Sequence, residues 1–252
     1  MATDGKTEAS WQKHQLLRNI IRSQFGAFGS HHHGQKLVID MHAGDGNGVM
    51  RKWELQDGQL FLGGLEPLSQ SSAQIAVDCT KEYPETTVLL CEKSAQKRKT
   101  LREMFPVDIF PHVHILTNHA NAPTIVQEHY QEMEWALILN DPEGSSSQGV
   151  PSMQAIAQQL SSDFVIVLNE LGIRRHMGLK GPGPNAMTAA SYATRDRDAW
   201  MLMLEQWRQR LGRKHAAWTS IYKQSSCFHF RIVVVSNFFG RVVRRPLFED
   251  IL

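Results

Sequence analysis

The chain predicts an α/β fold: a doubly wound sheet of about seven strands, mostly parallel, with a C-terminal antiparallel hairpin. Three observations lead there. From Lys36 onward, short continuous apolar runs alternate with segments of helical periodicity, the pattern of strands buried on both faces and joined by crossover helices. Three glycines at alternate positions, Gly44, Gly46 and Gly48, directly follow the first of those runs. Near the end the rhythm breaks: two long strand-like runs, 215–223 and 227–237, are joined so tightly that they must pair antiparallel.

Taken in order, residues 9–27 place Trp11, Leu16, Leu17, Ile20, Ile21 and Phe25 at helical spacing, so an amphipathic helix leads the chain. A loop follows, "GSHHHGQ", whose three adjacent histidines point in different directions and read as a solvated loop, with no metal site expected. Strands are expected at 36–41, 86–91, 113–117, 134–140 and 163–169. Helices are expected between them at 67–82, 94–105, 121–132 and 151–161, with Ser94 as an N-cap and Pro123 and Pro151 in first turns. A long helix near 196–212 precedes the hairpin, and its Trp200 and Trp207 read as core. Residues 1–35 are thus an N-terminal helix and loop, and 36–252 one domain.

Composition fits a globular chain with a proper core: 252 residues, 42% hydrophobic and 21% charged. A net charge of +2 permits nucleic acid as a partner without arguing for it. Three widely spaced cysteines, Cys79, Cys91 and Cys227, suggest reduced thiols, and no CxxC pair is present. The first ten residues are polar, and no run of about 18 apolar residues occurs, so a cytoplasmic protein without a membrane span is expected. No protein partner is named by the sequence.

The glycines after the first strand let backbone approach a ligand with no Cβ in the way. Their spacing, GxGxG, differs from the GxGxxG of dinucleotide sites, and no helix starts directly after them to face a pyrophosphate. Glu92, at the end of the second strand, can accept both hydroxyls of a ribose. In "TNHAN", Asn118 follows the third strand, where an amide can read an adenine edge. Asp40 ends the first strand and can hold an amino group or cap the glycine turn. At the end of the fourth strand, "LILNDPEG" places Asn140, Asp141 and Pro142 at the same carboxyl edge.

This arrangement resembles the class I S-adenosylmethionine-dependent methyltransferases, whose Rossmann-like sheet ends in an antiparallel hairpin. Within them the chain is similar to the three-Cys-motif partner family, methyltransferase-like proteins of bacterial mobile elements and phages. The likeness runs from about Lys36 to Gly144. "IDMHAGDG" looks like that family's strand and Ala-Gly-Pro-Gly turn, with Asp45 in place of proline. "GGLEPLSQSSAQIA" looks like its Gly-Ser-Pro segment, with Leu65, Glu66 and Pro67 there instead. "LLCEKSAQKRKTL" and "LILNDPEG" look like its Glu-Lys strand end and Asp-Pro-x-Gly turn. The resemblance implies S-adenosylmethionine as cofactor, held by Asp40, Ala43, Gly44, Gly46, Glu92, Lys93 and Asn118.

The turn at 140–142 also resembles the Asp/Asn-Pro-Pro-aromatic motif of amino-methyltransferases, which implies that Asn140, Asp141 and Pro142 hold a target amine. Here Glu143 and Gly144 replace the second proline and the aromatic residue. After the fifth strand, "GIRRHMGLKGPGPNAM" sets Arg174, Arg175 and Lys180 among four glycines and two prolines, a basic loop suited to phosphates of DNA or RNA. The expected function is methyl transfer to nucleic acid, to an exocyclic amine of a base. The alternatives are a binding protein that keeps the fold without transfer, and a small-molecule methyltransferase with the loop as a lid.

Overall fold

The computed structural model describes residues 8–29, 34–46, 49–56, 59–67, 70–142, 149–169, 197–222, 229–237 and 250–251. Its elements in chain order are helix α1 (Glu8–Gly29), β1 (Lys36–Asp40), β2 (Val49–Gln56), β3 (Gln59–Pro67), α2 (Ser72–Glu82), β4 (Thr86–Cys91), α3 (Ala95–Met104) and β5 (Val113–Leu116). There follow a 3-10 turn (His119–Asn121), α4 (Ala122–His129), β6 (Trp135–Asn140), α5 (Val150–Gln159), β7 (Ser162–Asn169), α6 (Arg197–Arg210), β8 (His215–Tyr222), β9 (His229–Ser236) and β10 (Asp250–Ile251).

The main sheet has the order β10-β8-β9-β7-β6-β1-β4-β5. Strands β5, β4, β1, β6 and β7 are parallel neighbours, and β9 enters antiparallel between β7 and β8. The expected mostly parallel sheet with a C-terminal antiparallel pair is therefore the one observed, with the two-residue β10 added at one edge.

Period-two alternation divides the apolar runs between two cores. Val38, Leu90, Leu137 and Val165 face one side, where Leu17, Ile21 and Phe25 of α1, Ala76 of α2 and Leu101 of α3 cover them. Leu37, Ile39, Leu89, Ile138 and Ile166 face the other, under Val126 of α4, Ile156 of α5 and Trp207 of α6. Continuous apolar sequence was required because neither face meets water. The chain moves outward from β1 in both directions, to β4 on one side and β6 on the other, so the carboxyl ends of β1 and β6 flank the topological switch point.

Two segments depart from expectation. Residues 49–67, read as connecting chain, form the two-stranded sheet β2–β3. The sequence held a signal for it in the Asp57-Gly58 dipeptide between the two runs. The next helix starts at Ser72 rather than 67, because a capping box sets its origin: the Ser71 hydroxyl accepts from Gln74 N–H at 3.2 Å, and Gln74 Oε1 accepts from Ser71 N–H at 2.9 Å. Ser94 caps α3 as expected, its hydroxyl accepting from Lys97 N–H at 3.4 Å.

Helix α1 runs antiparallel to β6. At one end the Phe25 and Trp135 rings meet edge to face, with centroids 5.3 Å apart, and at the other the Lys13 ammonium pairs with the Asp141 carboxylate. The spans match: twelve residues of helix rise about 18 Å and six of strand about 20 Å. Lys13 shares the buried stripe of α1 with Leu17, Ile20, Ile21 and Gln24, one turn beyond its apolar part.

Candidate active site

A cleft of about 700 Å³ opens beyond the carboxyl ends of β1, β4, β5 and β6, lined among others by Met41, His42, Gly44, Glu92, Lys93 and Asn118. Ser94, Lys97, His119, Gly149 and Pro151 complete much of the remaining wall. Four of the residues singled out in the sequence for a cofactor thus share one cavity.

Gly44 takes φ 65° and has no atom within 4 Å of where a Cβ would project, so it leaves open space on the cleft wall. Gly46 plays another part. Its φ is 74°, and a Cβ there would sit 2.9 Å from Leu101 Cδ2 and 3.0 Å from Met104 Sδ, so this glycine lets the loop pack on α3. Ala43 is buried, its N–H bonded to the Cys91 carbonyl at 3.0 Å, and it ties the loop to β4.

Asp40 is fully buried, and its Oδ1 accepts the His42 N–H at 3.0 Å, which caps the turn leaving β1. Glu92 Oε1 accepts the Ser94 N–H at 2.7 Å, which fixes the carboxylate at the rim of the cleft. Lys93 beside it is exposed. Asn118 Oδ1 accepts the Ala120 N–H at 3.2 Å, so its side chain also caps the 3-10 turn.

Beside the cleft, β6 ends in polar side chains. Asn140 is fully buried, and neither its Oδ1 nor its Nδ2 has a hydrogen-bond partner among the described residues. Leaving such groups unpaired costs about 1–3 kcal/mol each, so an amide kept there calls for a ligand or functional reason. Its Oδ1 lies 3.1 Å from the position of a Cβ on Gly149, a cleft residue with φ 92°; only glycine leaves that approach open. Pro142 is buried behind it, and Asp141 is held by Lys13.

Two imidazoles that no sequence motif marks, His42 and His119, stand in the cleft with ring centroids 5.1 Å apart. His119 Nδ1 is 3.3 Å from the Ser152 hydroxyl. Burial lowers His42 to about 4, and the neighbouring His119 pushes the same way, against the Asp141 carboxylate. Asn140 also lies close enough to raise His42 slightly, although no pair of their atoms meets hydrogen-bond geometry. His119 is lowered by burial and then by Lys93. Both rings are therefore neutral at pH 7. Burial raises the Cys91 thiol strongly, so this wall residue is no nucleophile.

The basic-loop residues Arg174, Arg175 and Lys180 lie outside the described residues, as do His31, His32 and His33. Lys13, His42 and His119 escape a reading of the sequence because nothing local marks them: a single lysine on a helix and two lone histidines carry no spacing. Among the described residues, no helix is long and apolar enough to cross a membrane.

No family model matches the sequence, and no curated protein does. Solved structures do match. The chain is similar to protein LPL1258 from Legionella pneumophila, with 10% identity over 92% of this chain and 89% of that one, at a TM-score of 0.58. It is also similar to the DszA carbon methyltransferase, with 13% identity over 88% of this chain and 53% of that longer one, at a TM-score of 0.50. M. jannaschii TYW2, solved in complex with AdoMet, matches at 13% identity over 86% and 74% of the two chains, with a TM-score of 0.40. The fold is the Rossmann-like methyltransferase fold, its principal strands mostly parallel with a C-terminal antiparallel pair, as expected.

Proposed function

We infer that the protein is an S-adenosylmethionine-dependent methyltransferase acting on nucleic acid, at an exocyclic amine of a base. The observation that carries this reading is the convergence of Gly44, Glu92 and Asn118 on one cleft beyond the carboxyl ends of the parallel strands. The residues fit the cofactor. Gly44 leaves room for close approach, the Glu92 carboxylate suits ribose hydroxyls, and Asn118 stands where an adenine edge would lie. The cofactor supplies an electrophilic methyl group on a sulfonium.

The protein's part is then positional: hold the acceptor nitrogen in line, exclude water and stabilise the positive charge that develops on that nitrogen. Asn140 and Asp141 at the end of β6 are the groups assigned to the acceptor amine, and the basic segment with Arg174, Arg175 and Lys180 offers cations for phosphates. Motif order supports membership of the three-Cys-motif partner family, with the mobile-element setting and cytoplasmic location that it implies.

Glu143 and Gly144, in place of the second proline and aromatic residue, favour a second reading, a cofactor-binding protein that transfers no methyl. Incubation with radiolabelled cofactor and separate pools of DNA, RNA, protein and metabolites decides. Label in nucleic acid supports the first reading; label only in metabolites, with no salt dependence, replaces it with a small-molecule enzyme. Tight cofactor binding with label in no pool establishes the second.

A further inference from the structure

Glu92 is the first residue past β4, and both its backbone and its side chain are held. Its N–H donates to the Leu116 carbonyl at 3.1 Å, beside the last paired residues of β4 and β5. Its Oε1 accepts from Ser94 N–H at 2.7 Å, and Ser94 in turn caps α3. Oε2 has no hydrogen-bond partner among the described residues. Since Glu92 lines the cleft, Oε2 is the carboxylate oxygen left for a ligand.

The carbonyls of Glu92 and Lys93 lie past the end of the strand, and one side chain serves both. Arg98, in the second turn of α3, donates from Nη1 to the Glu92 carbonyl at 2.9 Å and to the Lys93 carbonyl at 2.6 Å. Its own N–H bonds to the Ser94 carbonyl at 2.9 Å, so residues 92–98 close into one hydrogen-bonded unit. Among the described residues no carboxylate pairs with the guanidinium, and its Nε is buried without a partner. A half-buried cation without a counter-ion is unfavourable, and so it calls for a reason beyond surface solubility. Arg98 does not line the cleft, so whatever it does for a ligand it does through Glu92.

We propose that Arg98 is a positioning residue: by clamping the Glu92 and Lys93 carbonyls it holds the Glu92 carboxylate where it selects a nucleoside with sugar hydroxyls over one without them. This deepens the cofactor-site reading, on which it rests for the role of Glu92, and names the class of ligand as a ribonucleoside. A hydroxyl donating to Oε2 makes a charge-assisted bond whose strength depends on a fixed distance and angle. With the clamp removed, the peptide groups of residues 92 and 93 can rotate and Oε2 occupies several places. The bond is then weakened by the entropy of ordering them, while contacts to the base elsewhere in the cleft are untouched.

The test needs no methyl donor. Wild-type protein and the Arg98→Met, Arg98→Gln and Glu92→Ala variants are titrated with adenosine and with 2′,3′-dideoxyadenosine, which lacks both sugar hydroxyls, followed by NMR. Wild type should bind adenosine about tenfold or more tighter than the dideoxy compound, the scale of a hydrogen bond to a charged group. Arg98→Met should lower that ratio by about threefold or more and leave the affinity for dideoxyadenosine unchanged, because only the hydroxyl bond is lost. An Arg98 that merely braced the loop would weaken both nucleosides alike. The proposal is overturned if Arg98→Met keeps the wild-type ratio or loses both affinities equally. Arg98→Gln, too short to reach both carbonyls, decides in the same way if Arg98→Met fails to fold. These results leave the role of Glu92 standing. If wild type does not bind adenosine, or if Glu92→Ala keeps the wild-type ratio, the cofactor-site reading falls and the proposal with it.

Discussion

The Lys13 ammonium closes on the Asp141 carboxylate across 128 residues of chain, joining the first helix to the turn that ends the fourth parallel strand. Removing either partner takes the opposite charge away from a poorly hydrated group, which is the costly way to break such a pair. Lys13→Met and Asp141→Asn should each destabilise the fold, by about 1–3 kcal/mol given the residual exposure. The double variant should lose less than the sum, with a coupling of about 1 kcal/mol or more. Urea denaturation of the four proteins checks this, and additive losses would show the contact to be energetically idle.

The turn itself separates turnover from binding. Asp141→Ala should lower methyl transfer by about 100-fold or more, the scale of a positioned polar group whose interaction strengthens as charge develops. Affinity for the cofactor should change little, because Gly44 and Glu92 lie beyond the ends of other strands, β1 and β4. Single-turnover rates set beside calorimetric affinities test the split, and equal losses in both would place Asp141 in the cofactor site.

Two glycines two residues apart should respond differently. Gly46→Ala puts a Cβ against Leu101 and Met104 at a left-handed φ, so the expected loss is stability, about 1–3 kcal/mol. Gly44→Ala meets no neighbour, costs strain alone, and places a methyl group on the cleft wall, so its larger effect should be on S-adenosylmethionine affinity. Glu92→Ala should weaken that affinity by about 1.5–3 kcal/mol, as for hydrogen bonds to a charged group. Denaturation curves and calorimetry on the three variants distinguish packing from ligand contact.

Stability between pH 4 and 6 should reflect two opposed groups. His42 is held at about 4 in the fold against 6.5 ordinarily, so the unfolded chain binds its proton first. Stability from this group is complete above pH 6.5 and falls as pH drops toward 4, by at most about 3 kcal/mol. Asp163 is pushed up to about 6 by burial, against hydrogen bonds from Ser236 and Asn237 that lower it. Its contribution is complete below pH 3.8 and is lost as pH rises through 6. Relative to wild type, His42→Gln should make stability rise less steeply with pH in this window, and Asp163→Asn should make it rise more steeply. Denaturation at half-unit pH intervals reads both slopes; unchanged slopes would mean that neither group titrates abnormally.

If Arg174, Arg175 and Lys180 meet phosphates, replacing all three with alanine should flatten log affinity against log salt by up to about 2.7, at about 0.9 per lost contact on duplex DNA. Binding to a labelled duplex over a salt series gives the slope, and an unchanged value would assign the segment to covering the cleft.

Most of the sheet is legible in the amino-acid sequence. A strand buried on both faces must be apolar throughout, and a crossover helix must keep a 3.6-residue stripe; both are local constraints that β1, β4, β6, β7 and their helices display in a few residues each. The tight join before β9 likewise dictates its antiparallel direction, and the rule that ligands lie beyond the carboxyl ends of strands brings Gly44, Glu92 and Asn118 to one edge. The β2–β3 pair is hard to read because its alternation is weaker than the helical and apolar patterns around it.

What the tertiary structure alone decided has no local period. That Gly46 spares a clash with α3 while Gly44 opens the cleft depends on where Leu101 and Met104 pack. That His42 and His119 are neutral depends on burial between strands that the sequence separates. Asn140 and Asp141 could be assigned to the site from their strand. Which of them is paired follows from the tertiary contacts: α1 places Lys13 against Asp141, and Asn140 has no hydrogen-bond partner among the described residues. Sequence determines the elements, because their energetics are read over neighbours of three or four residues. The charge state of the site follows from contacts between residues tens to more than a hundred positions apart, which exist only once both cores have formed.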